Sequence, residues 1–147
     1  INGIETRWTI SLSRKLQFKA NYVYQRAENR SAFPYENGRN LPNAPNHRFN
    51  GKMEFSVKDW RINYDINVEN RHFLDRANLR DVDGRILHDL RITIPTKASA
   101  TFNIEICNLT NNQASDIWAY PLPGRSYFFT LYFDKNHFIK QSKRENT

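Results

Sequence analysis

The chain has 147 residues, with 22 Lys+Arg against 15 Asp+Glu and a formal net charge of +7. Its mean hydropathy of −0.78 and lack of any stretch near the roughly 18 uncharged residues of a spanning helix exclude a helical membrane protein. The length points to one domain, and the lone cysteine, Cys107, excludes an internal disulfide and a multi-cysteine metal site.

The chain begins at Ile1 without the basic, apolar and small-residue series of a secretory signal, so it reads as a processed chain or a fragment. From there, period-two alternation dominates. Ile4, Trp8, Ile10 and Leu12 alternate with Glu5, Arg7, Thr9 and Ser11. After a short connection at Ser13 to Lys15, Leu16, Phe18, Ala20, Tyr22 and Tyr24 oppose Gln17, Lys19, Asn21 and Gln25, with Val23 out of phase. A long connection runs from about Asn29 to Asn46. Phe49, Gly51, Met53, Phe55 and Val57 then oppose Arg48, Asn50, Lys52, Glu54 and Ser56.

Lys58 and Asp59 make the next short connection. Trp60, Ile62, Tyr64, Ile66 and Val68 oppose Arg61, Asn63, Asp65, Asn67 and Glu69. A second long connection spans about Asp75 to Arg85. Leu90, Ile92 and Ile94 follow, then a short connection at Thr96 to Ala98, then Phe102, Ile104 and Ile106. The third long connection, Asn108 to Gly124, leads to Tyr127, Phe129, Leu131 and Phe133, which alternate with Ser126, Phe128, Thr130 and Tyr132. Residues 134–147 read as a polar tail, and residues 1–133 as the strand-bearing part.

Successive side chains on a strand point to opposite faces, so each run predicts a half-buried strand. Seven strands of about ten residues exceed the usual five or six and match the 9–11 of a membrane-crossing strand. Strictly alternating short and long connections predict an all-β, antiparallel up-and-down meander with tight turns at one end and loops at the other. Outer-membrane barrels have that asymmetry.

Alternation alone fits two architectures. In a soluble β-sandwich the apolar faces meet each other; in a membrane barrel they meet lipid and the polar faces line a lumen. Long strands of similar length favour the barrel. So do charges in mid-strand, such as Lys52 with Glu54, Arg61 with Asp65, and Asp89 with Arg91. Aromatics at the strand ends favour it too: Phe18, Phe55, Trp60, Phe102 and Phe133 at one end, Tyr24, Phe49 and Tyr127 at the other. The alternative is a soluble β-sandwich binding module with a basic polar face.

Three segments carry a resemblance. LPNAPNHRFN, Leu41 to Asn50, enters a strand; NLTNN, Asn108 to Asn112, leaves one; YPLPGRSYFFTLYF, Tyr120 to Phe133, enters the last. Together with the meander they resemble the C-terminal end of a TonB-dependent outer-membrane receptor. The residues have physical roles as well. Pro42 and Pro45 lack amide donors and suit a reversing loop. Gly124 permits a backbone path that a side chain would block. Arg125 stands at the rim, and Asn108 can bond loop backbone where a strand ends. The chain departs from the family in continuing past Phe133 and in having Ala114 where an aromatic is common.

The resemblance implies part of a barrel of about 22 strands, without its plug, in the outer membrane of a Gram-negative bacterium. It implies active uptake of a scarce ligand of the ferric siderophore, haem or cobalamin class. The implied partners are outer-membrane lipid, the remaining strands and plug, the TonB energy-coupling complex through a missing N-terminal part, and the barrel-assembly machinery. The last strand, with Tyr127, Phe129, Leu131 and Phe133, resembles the signal that machinery reads. Candidate ligand contacts in the long loops are Arg30, Phe33, Tyr35, Arg39, Arg76, Arg80, Arg85, Trp118 and Tyr120, since arginine with aromatics suits an anionic, ring-bearing chelate.

No enzyme is expected, and no cofactor. The carboxylates Asp65, Glu69, Asp89 and Glu105 are interleaved with Arg and Asn, and no phosphate loop or nucleophile elbow is present. His47, His72, His88 and His137 lack metal-ligand spacing. Nor is nucleic acid an expected partner. The polar faces balance six cations against six anions, so the excess charge is divided among turns, loops and tail and forms no basic stripe.

Overall fold

The computed structural model describes residues 1–96, 100–117 and 120–133. Eleven strands are present among them: β1 (Asn2–Ser13), β2 (Leu16–Arg26), β3 (His47–Val57), β4 (Trp60–Glu69), β5 (His72–Phe73), β6 (Asp81–Val82), β7 (Arg85–Pro95), β8 (Ala100–Cys107), β9 (Ser115–Ile117), β10 (Tyr120–Pro121) and β11 (Ser126–Phe133). Seven form one sheet in the order β1-β2-β3-β4-β7-β8-β11, every neighbour antiparallel. The expected meander is therefore the observed fold. The expected connection at 96–98 falls largely outside the described residues, as do the tail at 134–147 and Trp118.

The register follows from side-chain period. A one-residue slip would move every apolar residue of a strand to the other face. The ladder instead aligns Ile10 with Phe18, Phe18 with Met53, Met53 with Tyr64, Tyr64 with Leu90, Leu90 with Ile106, and Ile106 with Tyr127. The apolar face thus runs unbroken across the sheet. Two aromatics of β11, Phe128 and Tyr132, lie on the opposite face, beside Glu105 and Thr101.

Among the described residues nothing covers either face. Among the described residues the buried apolar set is Ala27, Val82, Ala100 and Ala114, with no large side chain fully buried. Trp8, Trp60, Ile86, Phe129 and Phe133 are exposed. A soluble sandwich needs a second sheet over the apolar face; the remaining strands form only two small ladders, β5–β6 and β9–β10, within the long loops. Such a sheet is a wall whose apolar side must be covered by something outside the described residues.

The two histidines on the apolar face are each paired with a tyrosine. His47 and His88 share that face by register, opposite Tyr24 and Ile66. The Tyr22 hydroxyl meets His47 Nδ1 at 2.8 Å, and the Tyr64 hydroxyl meets His88 Nδ1. His47 opens β3, and the His88 carbonyl accepts the Leu109 N–H just past β8. Each imidazole therefore stands near the loop end and satisfies a tyrosine one rung deeper, as an unpaired hydroxyl in hydrocarbon costs several kcal/mol.

The polar face is cross-linked by charge. Lys19 Nζ reaches Glu54 at 3.1 Å and Arg91 reaches Glu105 at 2.6 Å. Glu69 is shared by Arg48 at 3.0 Å and Arg85 at 2.8 Å. Each pair bridges adjacent strands, so the ion pairs reinforce the register that the apolar face sets. The two faces tolerate charge differently. In lipid vesicles, Leu90→Arg in the assembled barrel is expected to lower the unfolding free energy by about 2–4 kcal/mol, while Asn63→Arg, on the polar face, leaves it near the parent value; urea titration measures both.

Candidate functional site

The three long loops meet at one end of the sheet. The first folds on itself between β2 and β3. Glu28 bridges Asn40, the Asn29 N–H donates to Arg39 O at 2.8 Å, and the Gly38 N–H returns to Asn29 O at 2.9 Å. Gly38 has φ +76°, which a side chain rarely adopts. At the tip, the Glu36 and Asn37 amides both donate to Phe33 O at 3.1 Å. The rings of Phe33 and Tyr35 lie 5.8 Å apart between centroids. Arg30 and Arg39 flank the same hairpin, and all four candidate side chains are exposed.

The second loop is held by Asp75. Its carboxylate accepts the Leu79 N–H at 2.8 Å and the Arg80 N–H at 3.0 Å. That turn presents Arg76, Leu79 and Arg80 to solvent. Arg71 pairs with Asp81 beneath it. Asn78, in left-handed backbone at φ 58°, reaches across to the first loop. Its Oδ1 accepts the Asn40 N–H at 2.8 Å and its Nδ2 donates to Asn40 O at 2.9 Å, so one carboxamide imitates a β-bridge. The Asn43 N–H adds a bond to Phe73 O at 2.8 Å.

The third loop is organised by Asn108, which is 5% exposed. Asn108 Oδ1 accepts the Asn112 N–H at 2.8 Å, and Nδ2 donates to Asn112 O at 3.0 Å and Pro123 O at 3.2 Å. Its own N–H donates to Asp89 Oδ1 at 2.8 Å, tying the loop to β7. The expected backbone role of Asn108 is thus present. Gly124 is explained by a close approach, since a Cβ there would lie 3.0 Å from Asn111 Oδ1. That oxygen accepts the Arg125 N–H at 3.0 Å, so Arg125 acts here through its backbone. Tyr120, in β10, is exposed.

The candidates therefore fall into three groups. Arg30, Phe33, Tyr35 and Arg39 share one hairpin; Arg76 and Arg80 share the second loop; Tyr120 stands on the third. Arg85 belongs elsewhere: it lies in β7 opposite Glu69 and forms an ion pair with it on the polar face just below the loops. Among the described residues no group of three or more His, Cys, Asp or Glu could hold a metal ion. The surface offers guanidinium and aromatic groups, which suit anionic and ring-bearing ligands. The residues that sequence reasoning misses are structural: Asn78, Asn40 and Asp75. Their local signal is a D-x-x-N spacing in a loop; the partner across the loops has no local signal.

No protein-family model and no curated protein sequence matches the chain. Solved structures do. The ferric preacinetobactin receptor BauA from Acinetobacter baumannii is similar over 88% of this chain and 21% of its own, with TM-score 0.77 and 20% identity. The fold is that of the siderophore-receptor β-barrel. The siderophore receptor PiuA from the same organism has TM-score 0.72 at 17% identity, and the ferric yersiniabactin uptake receptor FyuA from Yersinia pestis 0.71 at 14%, each covering 88% of this chain and 21% of the receptor. The chain thus spans about a fifth of each receptor's length, and its seven-stranded wall has the fold of an arc of these receptors' barrels.

The role assigned to Asn108 separates into two parts. Asn108→Gly keeps the left-handed backbone (φ 51°) and loses the side-chain bonds, an expected cost of about 1–3 kcal/mol. Asn108→Ala adds about 1–2 kcal/mol for the left-handed backbone. Limited proteolysis between residues 108 and 125 is expected to rise in the order parent, Gly, Ala.

Proposed function

We propose that this chain is the C-terminal part of the barrel of a TonB-dependent transporter in the outer membrane of a Gram-negative bacterium, and that the whole protein takes up a ferric siderophore. One observation carries the reading: a single meander with an uncovered apolar face, all long loops at one end, and the backbone of siderophore-receptor barrels over 88% of its length. Uptake by such a protein needs the remaining strands, a plug and contact with the TonB complex. The wall described here supplies part of the lumen and part of the outer surface.

In this reading the ligand is met by the exposed loop groups: Arg30, Phe33, Tyr35 and Arg39 on the first hairpin, Arg76 and Arg80 on the second loop, and Tyr120 on the third. Trp118 is a further candidate, outside the described residues. Guanidinium groups would take the chelate's negative charge and the Phe33–Tyr35 pair its rings. Arg85, held by Glu69, would act one level lower, at the mouth of the lumen. A haem or cobalamin ligand would use the same surface with more ring contact and less charge. The strand bearing Tyr127, Phe129, Leu131 and Phe133 would also be read by the barrel-assembly machinery, and Phe133→Ala is expected to reduce insertion into outer membranes.

Deleting the full-length gene tests the transport reading. Growth on iron-restricted medium with a supplied ferric siderophore is expected to fail and to return with the gene. Unchanged growth, with loss on cobalamin or haem instead, would reassign the ligand. Arg39→Ala in the whole protein is expected to weaken siderophore binding about tenfold, close to 1.4 kcal/mol, measured by fluorescence quenching.

A further inference from the structure

Asparagine followed by glycine occurs at Asn2–Gly3, Asn37–Gly38 and Asn50–Gly51. In such a pair the glycine amide nitrogen can attack the asparagine carboxamide, because glycine has no side chain to shield that nitrogen. The fold gives these pairs different surroundings. Asn50–Gly51 lies in the middle of β3, paired with Asn21 and Ala20 of β2 on one side and with Asn67 and Ile66 of β4 on the other. A Cβ on Gly51 would stand 2.8 Å from Ile66 Cγ2, so that position is also crowded. Asn2–Gly3 opens β1 and pairs on one side with Arg26 and Gln25 of β2; a Cβ on Gly3 would stand 2.5 Å from Tyr24 O. Asn37–Gly38 differs in each respect. It lies at the tip of the first hairpin, outside every strand, and both residues are exposed. The Asn37 carboxamide has no hydrogen-bond partner among the described residues. A Cβ on Gly38 would meet nothing within 4 Å. One bond holds the nucleophile: the Gly38 N–H donates to Asn29 O at 2.9 Å. Opening that bond at a loop tip costs far less than opening the middle of a sheet.

We propose that Asn37 is a site of intramolecular modification, converting to aspartate and isoaspartate in the folded protein. The reaction starts with the Gly38–Asn29 bond open and hydroxide taking the Gly38 amide proton. The Gly38 nitrogen then bonds Asn37 Cγ, and the carboxamide nitrogen leaves as ammonia. The product is a five-membered cyclic imide, which water opens. Attack of water at Cγ gives aspartate. Attack at the Asn37 main-chain carbonyl carbon gives isoaspartate, whose backbone runs through Cγ. The net change consumes a water and releases an ammonia, with no oxidant or reductant.

Either product puts a carboxylate midway in sequence between Tyr35 and Arg39. Isoaspartate also lengthens the backbone just ahead of the Gly38 N–H, and so displaces it from Asn29 O. The modification itself follows from the hairpin alone. Its consequence rests on the transporter reading: a new negative charge on the first hairpin opposes an anionic chelate, so an aged receptor would bind it more weakly.

Peptide mass spectrometry of the complete protein, aged in its membrane at mildly alkaline pH, tests the site. The peptide holding Asn37 is expected to gain the amide-to-acid mass change at least about tenfold faster than the peptide holding Asn50, with Asn2 between them. Unfolded in guanidinium chloride, the same peptides are expected to convert at similar rates, since the fold no longer separates them. Asn37→Gln is expected to leave the hairpin peptide unchanged over the same period, because a longer side chain closes the ring far more slowly. An Asn37 peptide that keeps its amide, or an Asn50 peptide that converts as fast in the folded protein, would overturn the inference. So would the same order of rates with and without guanidinium chloride, because the fold would then not be what selects Asn37. These outcomes leave the transporter reading untouched, since growth of the gene deletion tests it separately.

Discussion

A peptide group in hydrocarbon has no water to bond, so a chain can cross there as strands only if each strand's donors and acceptors meet a neighbour's. In the transporter reading, that requirement sets the form of this structure. Backbone pairing passes from β1 to β11 without a gap, and each antiparallel pair hands its register to the next. Apolar area then sets which register is chosen, because a slip of one residue would turn a whole strand's apolar residues inward. The tight turns need only two residues at Arg14–Lys15 and Lys58–Asp59, and Lys58 takes left-handed backbone to make its turn, at φ 53°. Length is left over only at the loop end.

The same constraint explains how two histidines are accommodated on the apolar face. A lone imidazole or phenol facing lipid would be costly. His47 and His88 are each matched with a tyrosine, diagonal across a strand pair, so that both groups are bonded near the loop end of the sheet. The inner face obeys a different rule. There charge is admitted, but mostly in pairs that bridge strands, and Glu69 between Arg48 and Arg85 ties three strands together where the wall meets the loops. Charge pairing and apolar register thus support one alignment, as a sequence that specifies a single fold requires.

The seven long strands were legible because alternation over ten residues is hard to imitate by other structure. The start of β7 was not. Leu87 falls on the polar face and interrupts the alternation, so the strand reads as beginning near Asp89, although the ladder already pairs Arg85 with Glu69. That single misphased leucine is why Arg85 reads as a loop residue. The ladders β5–β6 and β9–β10 are two or three residues per strand, too short to show any period. Asn108 was legible because a strand visibly ends there. Asn78 was not, because its partner Asn40 lies 38 positions away.

The loops differ from the wall in kind as well as in length. Their folds rest on asparagine and aspartate side chains that take the place of backbone partners: Asn43, Asn78, Asn108 and Asn111 all adopt left-handed backbone, which asparagine tolerates better than most residues. A loop built this way spends few side chains on its own packing, and leaves Arg30, Phe33, Tyr35, Arg39 and Arg76 exposed. The cross-links Asn78–Asn40 and Asn43–Phe73 join the first two loops, so a ligand bridging the Phe33–Tyr35 hairpin and the Arg76–Arg80 turn would meet surfaces already held in relation to each other. Less ordering entropy would then be lost on binding. The wall is specified by a pattern that many sequences can satisfy, whereas the loops are specified by individual polar atoms.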